Sequence, residues 1–281
     1  MITTPRARQA VNLLPNSMTV LAICAGLTSV KVALEGRPYI SVVLLAAAAV
    51  LDGLDGRVAR ILDASSRTGK TIDSVADAMN FGVAPALVVY VSLLSASRVG
   101  WIVALLYAVC IALRLARFNA MIDDGALPAY TRDFFVGMPA PAGAGMAILP
   151  LVATIQFGEG WWTSEWFICP WLLACSALVV SRLPMRKIPA ISVRPNLVVL
   201  VTVSVIAAAA AVLFPYLVIM VVNVAYLCHI PFSVRSHRWL AAHPEVDKPK
   251  QGRVARRAIR RAALSRRPMA RLRLRRPGQT T

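Results

Sequence analysis

The chain has 281 residues, of which 58% are hydrophobic, and a mean hydropathy of +0.64; it is long enough for one or two soluble domains but too apolar to be either. Its formal net charge is +18, yet 13 of the 31 Lys and Arg follow Pro244, so the rest of the chain is only modestly basic. These quantities exclude a water-soluble enzyme and predict an all-α, polytopic bundle of transmembrane helices.

Residues 1–14 read as a polar cytoplasmic segment that runs straight into a full-length apolar span. No small-residue cleavage site accompanies it, so the first span is expected to remain in the mature chain. Apolar runs of the length that crosses a bilayer, about 17 to 25 residues, follow at Pro15 to Leu34, Pro38 to Leu62, Ile72 to Leu94, Trp101 to Met121, Met138 to Ile155, Phe167 to Val180, Asn196 to Phe214 and Tyr216 to Phe232. The sixth is short, and only Phe214-Pro215-Tyr216 divides the last two. Eight is therefore the best count, with six or seven open. Pro85 is expected to kink the third span.

With a cytoplasmic N-terminus, the outer loops hold only Lys31, Arg37 and Arg98. Arg6, Arg8, Arg67, Lys70, Arg132, Arg182, Arg186, Lys187, Arg194 and the tail all fall inside. That is the positive-inside pattern for an even number of spans. The outer connection FGEGWWTSEWF, Phe157 to Phe167, carries three tryptophans suited to a bilayer interface. The five cysteines form no metal-like pair and read as small apolar residues. The three histidines lie late in the chain, far from the acidic cluster described next. The basic tail, residues 233–281, reads as a disordered or surface-lying segment held near anionic lipid, at about 1 kcal/mol per basic residue. It lacks the aromatic platform that nucleic-acid binding uses, so no nucleic-acid partner is expected.

The stretch LDGLDGRVARILDASSRTGKTIDSVADAMNFG, Leu51 to Gly82, sets five aspartates between two apolar runs. An ionised carboxylate at mid-membrane costs roughly 2.5 to 3.5 kcal/mol even on lenient scales, so a cluster of them has to be compensated. Asp52 and Asp55 are three apart and Asp73 and Asp77 four apart, which puts each pair on one helical face. Two facing helices would then direct four carboxylates to one point, a ligand set for hard divalent ions such as Mg²⁺ or Mn²⁺. Gly53, Gly56 and Ala59 leave room beside that face for a bulky ligand, and Arg60 would suit its phosphates. The blander alternative is that the aspartates pair with Arg57, Arg60, Arg67 and Lys70 at a helix end.

The spacing D-x2-D-G-x2-A-R-x8-G-x3-D-x3-D, read at Asp52, Asp55, Gly56, Ala59, Arg60, Gly69, Asp73 and Asp77, resembles the signature of the CDP-alcohol phosphatidyltransferases. The resemblance implies a dimeric integral-membrane enzyme with a six-helix core, here residues 15–187, followed by about two further spans in 188–232. It also implies two metal ions beneath the aspartates and a reaction that joins a CDP-linked lipid to an alcohol and releases CMP. By position, Asp52, Asp55, Asp73 and Asp77 would be metal ligands, and Asp77 also the general base. Gly56, Ala59 and Arg60 would line the nucleotide and diphosphate site, with Ser66 a further contact. Asn16 and Thr19, in LPNSMT, resemble the polar start of the first family helix, which closes over the nucleotide. Asp63 is outside the signature.

DSVADAMNFGVAPA (Asp73 to Ala86), ALRLARFN (Ala112 to Asn119), FVGMPAPAGAG (Phe135 to Gly145) and VSRLP (Val180 to Pro184) resemble one branch of that family. Its members are membrane-integral bacterial enzymes that use CDP-diacylglycerol as donor and L-serine as acceptor. Such an enzyme would sit in the cell membrane with its site facing the cytoplasm. Arg114 and Arg117 share a helical face at the inner end of the fourth span, where they could hold an acceptor's carboxylate or phosphate, or merely anchor the helix end. A glycerol phosphate or inositol phosphate acceptor, and outside enzymes a cation transporter, remain as alternatives.

Overall fold

The computed structural model describes residues 5–62, 67–123, 134–181, 184–186 and 212–242, with scattered positions between 202 and 210. Asp63, Ser66, most of the expected seventh span and the basic tail beyond Ala242 lie outside the described residues. By internal contacts the chain falls into two units, Met1–Ser233 and Val234–Thr281. The membrane helices and the acidic cluster belong to the first.

Helix α1, Pro5–Leu34, starts ten residues before the expected span. It ends at Gly36, whose φ of +73° turns the chain in a conformation that only glycine adopts readily. Pro38, with its preset φ, opens α2, Pro38–Ile61. The two helices pack against each other as a hairpin.

The third span begins as α3, Arg67–Asp77, widens into a π-helical stretch, Ala78–Val83, resumes as α4, Ala84–Val89, and widens again over Tyr90–Leu94. Pro85 explains the first widening: it has no N–H and its ring crowds the carbonyl four residues back, and a π turn relieves both. The buried Tyr107 hydroxyl donates to the Phe81 carbonyl in that stretch at 3.1 Å. The proline is thus absorbed as a local change of winding, with a neighbouring helix bonding the altered backbone.

Helix α5, Arg98–Asp123, is capped by Ser97, whose hydroxyl accepts from the Gly100 N–H and donates to Glu165. Its buried face runs through Tyr107, Ile111, Arg114 and Leu115, so an arginine occupies the stripe expected to be apolar. Helices α6, Ala140–Ala147, and α7, Leu149–Phe157, form one bent unit with a 41° break at Ile148, just before Pro150. Helix α8 covers Glu165–Val180 and α9 covers Pro215–Ala242.

Among the described residues, five helices are long and apolar enough to cross a bilayer, or six if α6 and α7 count as one span. Helix α8 is apolar, but its 16 residues rise only about 24 Å, short of the roughly 30 Å hydrocarbon core. The protein is an integral-membrane helical bundle. One addition to the all-helical expectation is a two-stranded antiparallel ribbon, β1 at Phe134–Val136 paired with β2 at Pro184–Arg186. Three-residue strands are too short to leave a periodic signal. Gly137, with φ of +80°, leads out of β1 under the Ser181 carbonyl, which an added Cβ would meet at 2.6 Å.

Helix contacts rest on small residues, as is usual where no water drives association. A Cβ on Gly26 of α1 would lie 2.3 Å from the side-chain oxygen of Asn80. Gly26→Ala is therefore expected to lower stability by about 1 to 3 kcal/mol, read as a lower melting temperature in detergent. An unchanged melting temperature would mean that α1 does not press on the third span there.

Candidate active site

The inner ends of α2 and α3 bring the aspartates together as their spacing requires. Carboxylate oxygens of Asp52, Asp55 and Asp73 all lie within 4.8 Å of one another. Asp77, one turn beyond Asp73, lies close enough to Asp52 for the two carboxyls to interact. Asp55 is 2% exposed while Asp73 is open to solvent, so the cluster has a buried floor and an accessible rim.

The blander reading of these acids finds no support among the described residues, which leave out the side chain of Arg67. Among the described residues the one ion pair within 4.0 Å is Lys31 with Glu35, on the far side of the hairpin. Neither Arg57, Arg60 nor Lys70 pairs with the cluster. Asp52 Oδ1 and Asp55 Oδ1 are buried without a hydrogen-bond partner among the described residues. Orphaned carboxylate oxygens are costly, and three carboxylates around one point are what a divalent cation satisfies. The residues fit a metal site of the kind this chemistry uses.

Thr19, placed in the nucleotide site by resemblance, reaches the cluster itself. Its buried hydroxyl lies 2.5 Å from Asp55 Oδ2 and 3.0 Å from the Pro15 carbonyl, so α1 orients one of the acids. Asn16 is half-buried one turn earlier. The glycine face is open: a Cβ on Gly53 or Gly56 would meet nothing within 4 Å. Ala59 is half-buried beside it, and the exposed Arg60 donates from Nε to the Gly56 carbonyl at 2.9 Å, which folds its guanidinium back along that face.

The two arginines of α5 part company. Arg114 is 8% exposed, interacts electrostatically with Asp77, and leaves its Nε without a hydrogen-bond partner among the described residues. Arg117 is half-buried and donates to the Val180 carbonyl at 2.9 Å, tying α5 to the end of α8. One turn deeper than Asp77 lies Asn80, 3% exposed, with both side-chain polar atoms unpartnered among the described residues. It borders a cavity of about 140 Å³ that is otherwise mainly apolar, walled by residues such as Ala49, Pro141, Ala144 and Ile219. Asn80 was not singled out from the sequence, although an amide three residues beyond Asp77 in an apolar span was a usable signal.

An integral-membrane helical bundle with a metal-type acid cluster at one end of its helices, beside an open glycine face and a buried arginine, is an arrangement suited to phosphoryl transfer. The sequence model of the CDP-alcohol phosphatidyltransferase family matches residues 12–181, and the chain belongs to that family. It is similar along its whole length to the CDP-diacylglycerol--serine O-phosphatidyltransferase of Mycobacterium tuberculosis, with 63% identity over 99% of both chains. The protein of that name from Mycobacterium leprae is 59% identical over 99% of this chain and 94% of its own. That of Bacillus subtilis is 36% identical over 63% of this chain and 89% of its own. A cation transporter is no longer a competing reading.

Proposed function

We propose that the protein transfers the phosphatidyl group of CDP-diacylglycerol to the hydroxyl of L-serine, giving phosphatidylserine and CMP. The observation that carries the acceptor is the buried Arg114 beside Asp77, in a chain that aligns end to end with relatives named as serine transferases. Asp77 accepts the proton of the serine hydroxyl as that oxygen forms its bond to the phosphorus bearing diacylglycerol, and the bond to the CMP phosphate breaks. Arg114 holds the serine carboxylate, with Arg117 supplying further donors. Gly56, Ala59 and Arg60 receive the diphosphate and nucleotide, and Asn16 and Ser66 add contacts at their edge. Mg²⁺ or Mn²⁺, as two ions held by Asp52, Asp55, Asp73 and Asp77, would neutralise charge on the diphosphate. Thr19 keeps Asp55 turned toward them.

Apolar walls carrying a single amide, one turn below the acids, suit an ester-bearing lipid rather than water, which wants two to four polar partners. The site faces the cytoplasm on this reading, as the charge asymmetry supports, and the enzyme works as a homodimer in the bacterial cell membrane. The direct test supplies purified protein with CDP-diacylglycerol and a panel of labelled alcohols. Serine should be incorporated with stoichiometric CMP, whereas incorporation of glycerol phosphate or inositol phosphate without serine defeats the proposal.

The basic tail serves membrane attachment on this reading. Truncation after Pro244 should leave activity in neutral detergent within about twofold and reduce it on anionic vesicles, since each basic residue near such a surface contributes about 1 kcal/mol. Lost activity in neutral detergent, with the melting temperature kept, would place part of the chemistry in the tail.

A further inference from the structure

The segment matched by the family ends at residue 181, yet α9, far beyond it, reaches the site. At one end of the helix the Tyr216 hydroxyl donates to the Tyr39 carbonyl at the start of α2, at 3.1 Å. Farther along, Asn223 is buried against Gly145, where an added Cβ would strike its amide oxygen at 2.4 Å, and it donates to its own helix at the Ile219 carbonyl at 2.7 Å. One turn on, Tyr226 interacts electrostatically with Arg114. The side of α9 bearing Ile219, Asn223 and Tyr226 is thus the one that packs inward.

The Tyr226 hydroxyl is buried and has no hydrogen-bond partner among the described residues, and the same holds for Nε of Arg114. A buried hydroxyl left unpaired is destabilising, and nothing in the packing requires it, because phenylalanine would fill the same volume. Two unsatisfied buried donors thus belong to side chains that interact with each other, and Arg114 interacts in turn with Asp77 of α3. A donor pair beside a general base matches a small acceptor whose carboxylate takes two hydrogen bonds while its hydroxyl meets the base.

We infer that Tyr226 completes the acceptor pocket, its hydroxyl donating to the acceptor's carboxylate alongside Arg114, so that a helix outside the family-matched segment contributes to acceptor recognition. This rests on the serine reading above and goes beyond it in naming a recognition residue outside that segment.

The test is Tyr226→Phe, which removes one oxygen and keeps the ring. With CDP-diacylglycerol saturating, the KM for serine should rise tenfold or more, while the KM for CDP-diacylglycerol and the melting temperature without substrate stay near wild type. Combined with Arg114→Lys, the effect on serine KM should be less than the product of the two single effects, because both side chains grip one group. If the variant does not survive purification, the same two KM values are read in native membranes. A serine KM within twofold of wild type, a loss confined to kcat, or an equal rise in both KM values overturns the inference. Failure of the wild-type protein to incorporate serine overturns the acceptor reading and this inference with it, so the two failures are told apart by the wild-type control.

Discussion

Asp77→Asn is expected to abolish turnover while CDP-diacylglycerol still binds. The amide keeps the size of the side chain and a coordinating oxygen, but it cannot take the proton of the acceptor hydroxyl. General-base catalysis contributes roughly 100- to 10,000-fold, and the loss should fall in kcat, leaving the KM for the lipid donor little changed. The remaining acids, Asp52, Asp55 and Asp73, hold together without it, and CDP should still raise the melting temperature of the variant. Turnover within tenfold of wild type would remove Asp77 from the role of base and leave it a metal ligand at most. Asp52→Asn differs in kind: it takes a ligand from the centre of the cluster, so activity should depend on metal concentration more steeply than in Asp77→Asn.

Arg114→Ala should raise the KM for serine by roughly 10- to 150-fold, the equivalent of losing a charge-assisted hydrogen bond of about 1.5 to 3 kcal/mol. The KM for the lipid donor should move far less. Lysine should restore only part, because an ammonium lacks the planar fork that takes two carboxylate oxygens. Competition adds a readout independent of folding: L-serine should inhibit incorporation of labelled serine, and serine amide, which has no carboxylate, should inhibit poorly. Equal inhibition by the two would defeat the assignment of Arg114. The structure also separates the arginines. Arg117 spends a donor on the Val180 carbonyl, so Arg117→Ala should combine a smaller rise in serine KM with a lower melting temperature, as the tie between α5 and α8 is lost.

The helical spans among the described residues and the composition of the acid cluster are legible in the sequence, because both are written within single helices. Runs of apolar residues specify spans whatever their neighbours, and three- or four-residue spacing aligns Asp52 with Asp55 and Asp73 with Asp77 by helix geometry alone. The same spacing points from the acids to the family whose sequence model matches residues 12–181. Pro85 shows the limit of this local code. A proline inside a span predicts a disturbance, and only the packing of Tyr107 against the Phe81 carbonyl shows how the disturbed backbone is bonded.

Relations between helices were decided by the tertiary structure. Arg114 and Arg117 look alike in sequence, three residues apart at the end of one span, yet one is buried beside Asp77 and the other is held by a backbone carbonyl of α8. Thr19, which the resemblance puts at the nucleotide site, bonds Asp55 across 36 positions of chain. Tyr226, in an apolar run like any other, carries no local mark of a site residue. Which face of a membrane helix meets which neighbour depends on its rotation and depth, set by how closely backbones approach at glycines such as Gly26 and Gly145. Those quantities arise between helices, and no periodicity within one helix encodes them.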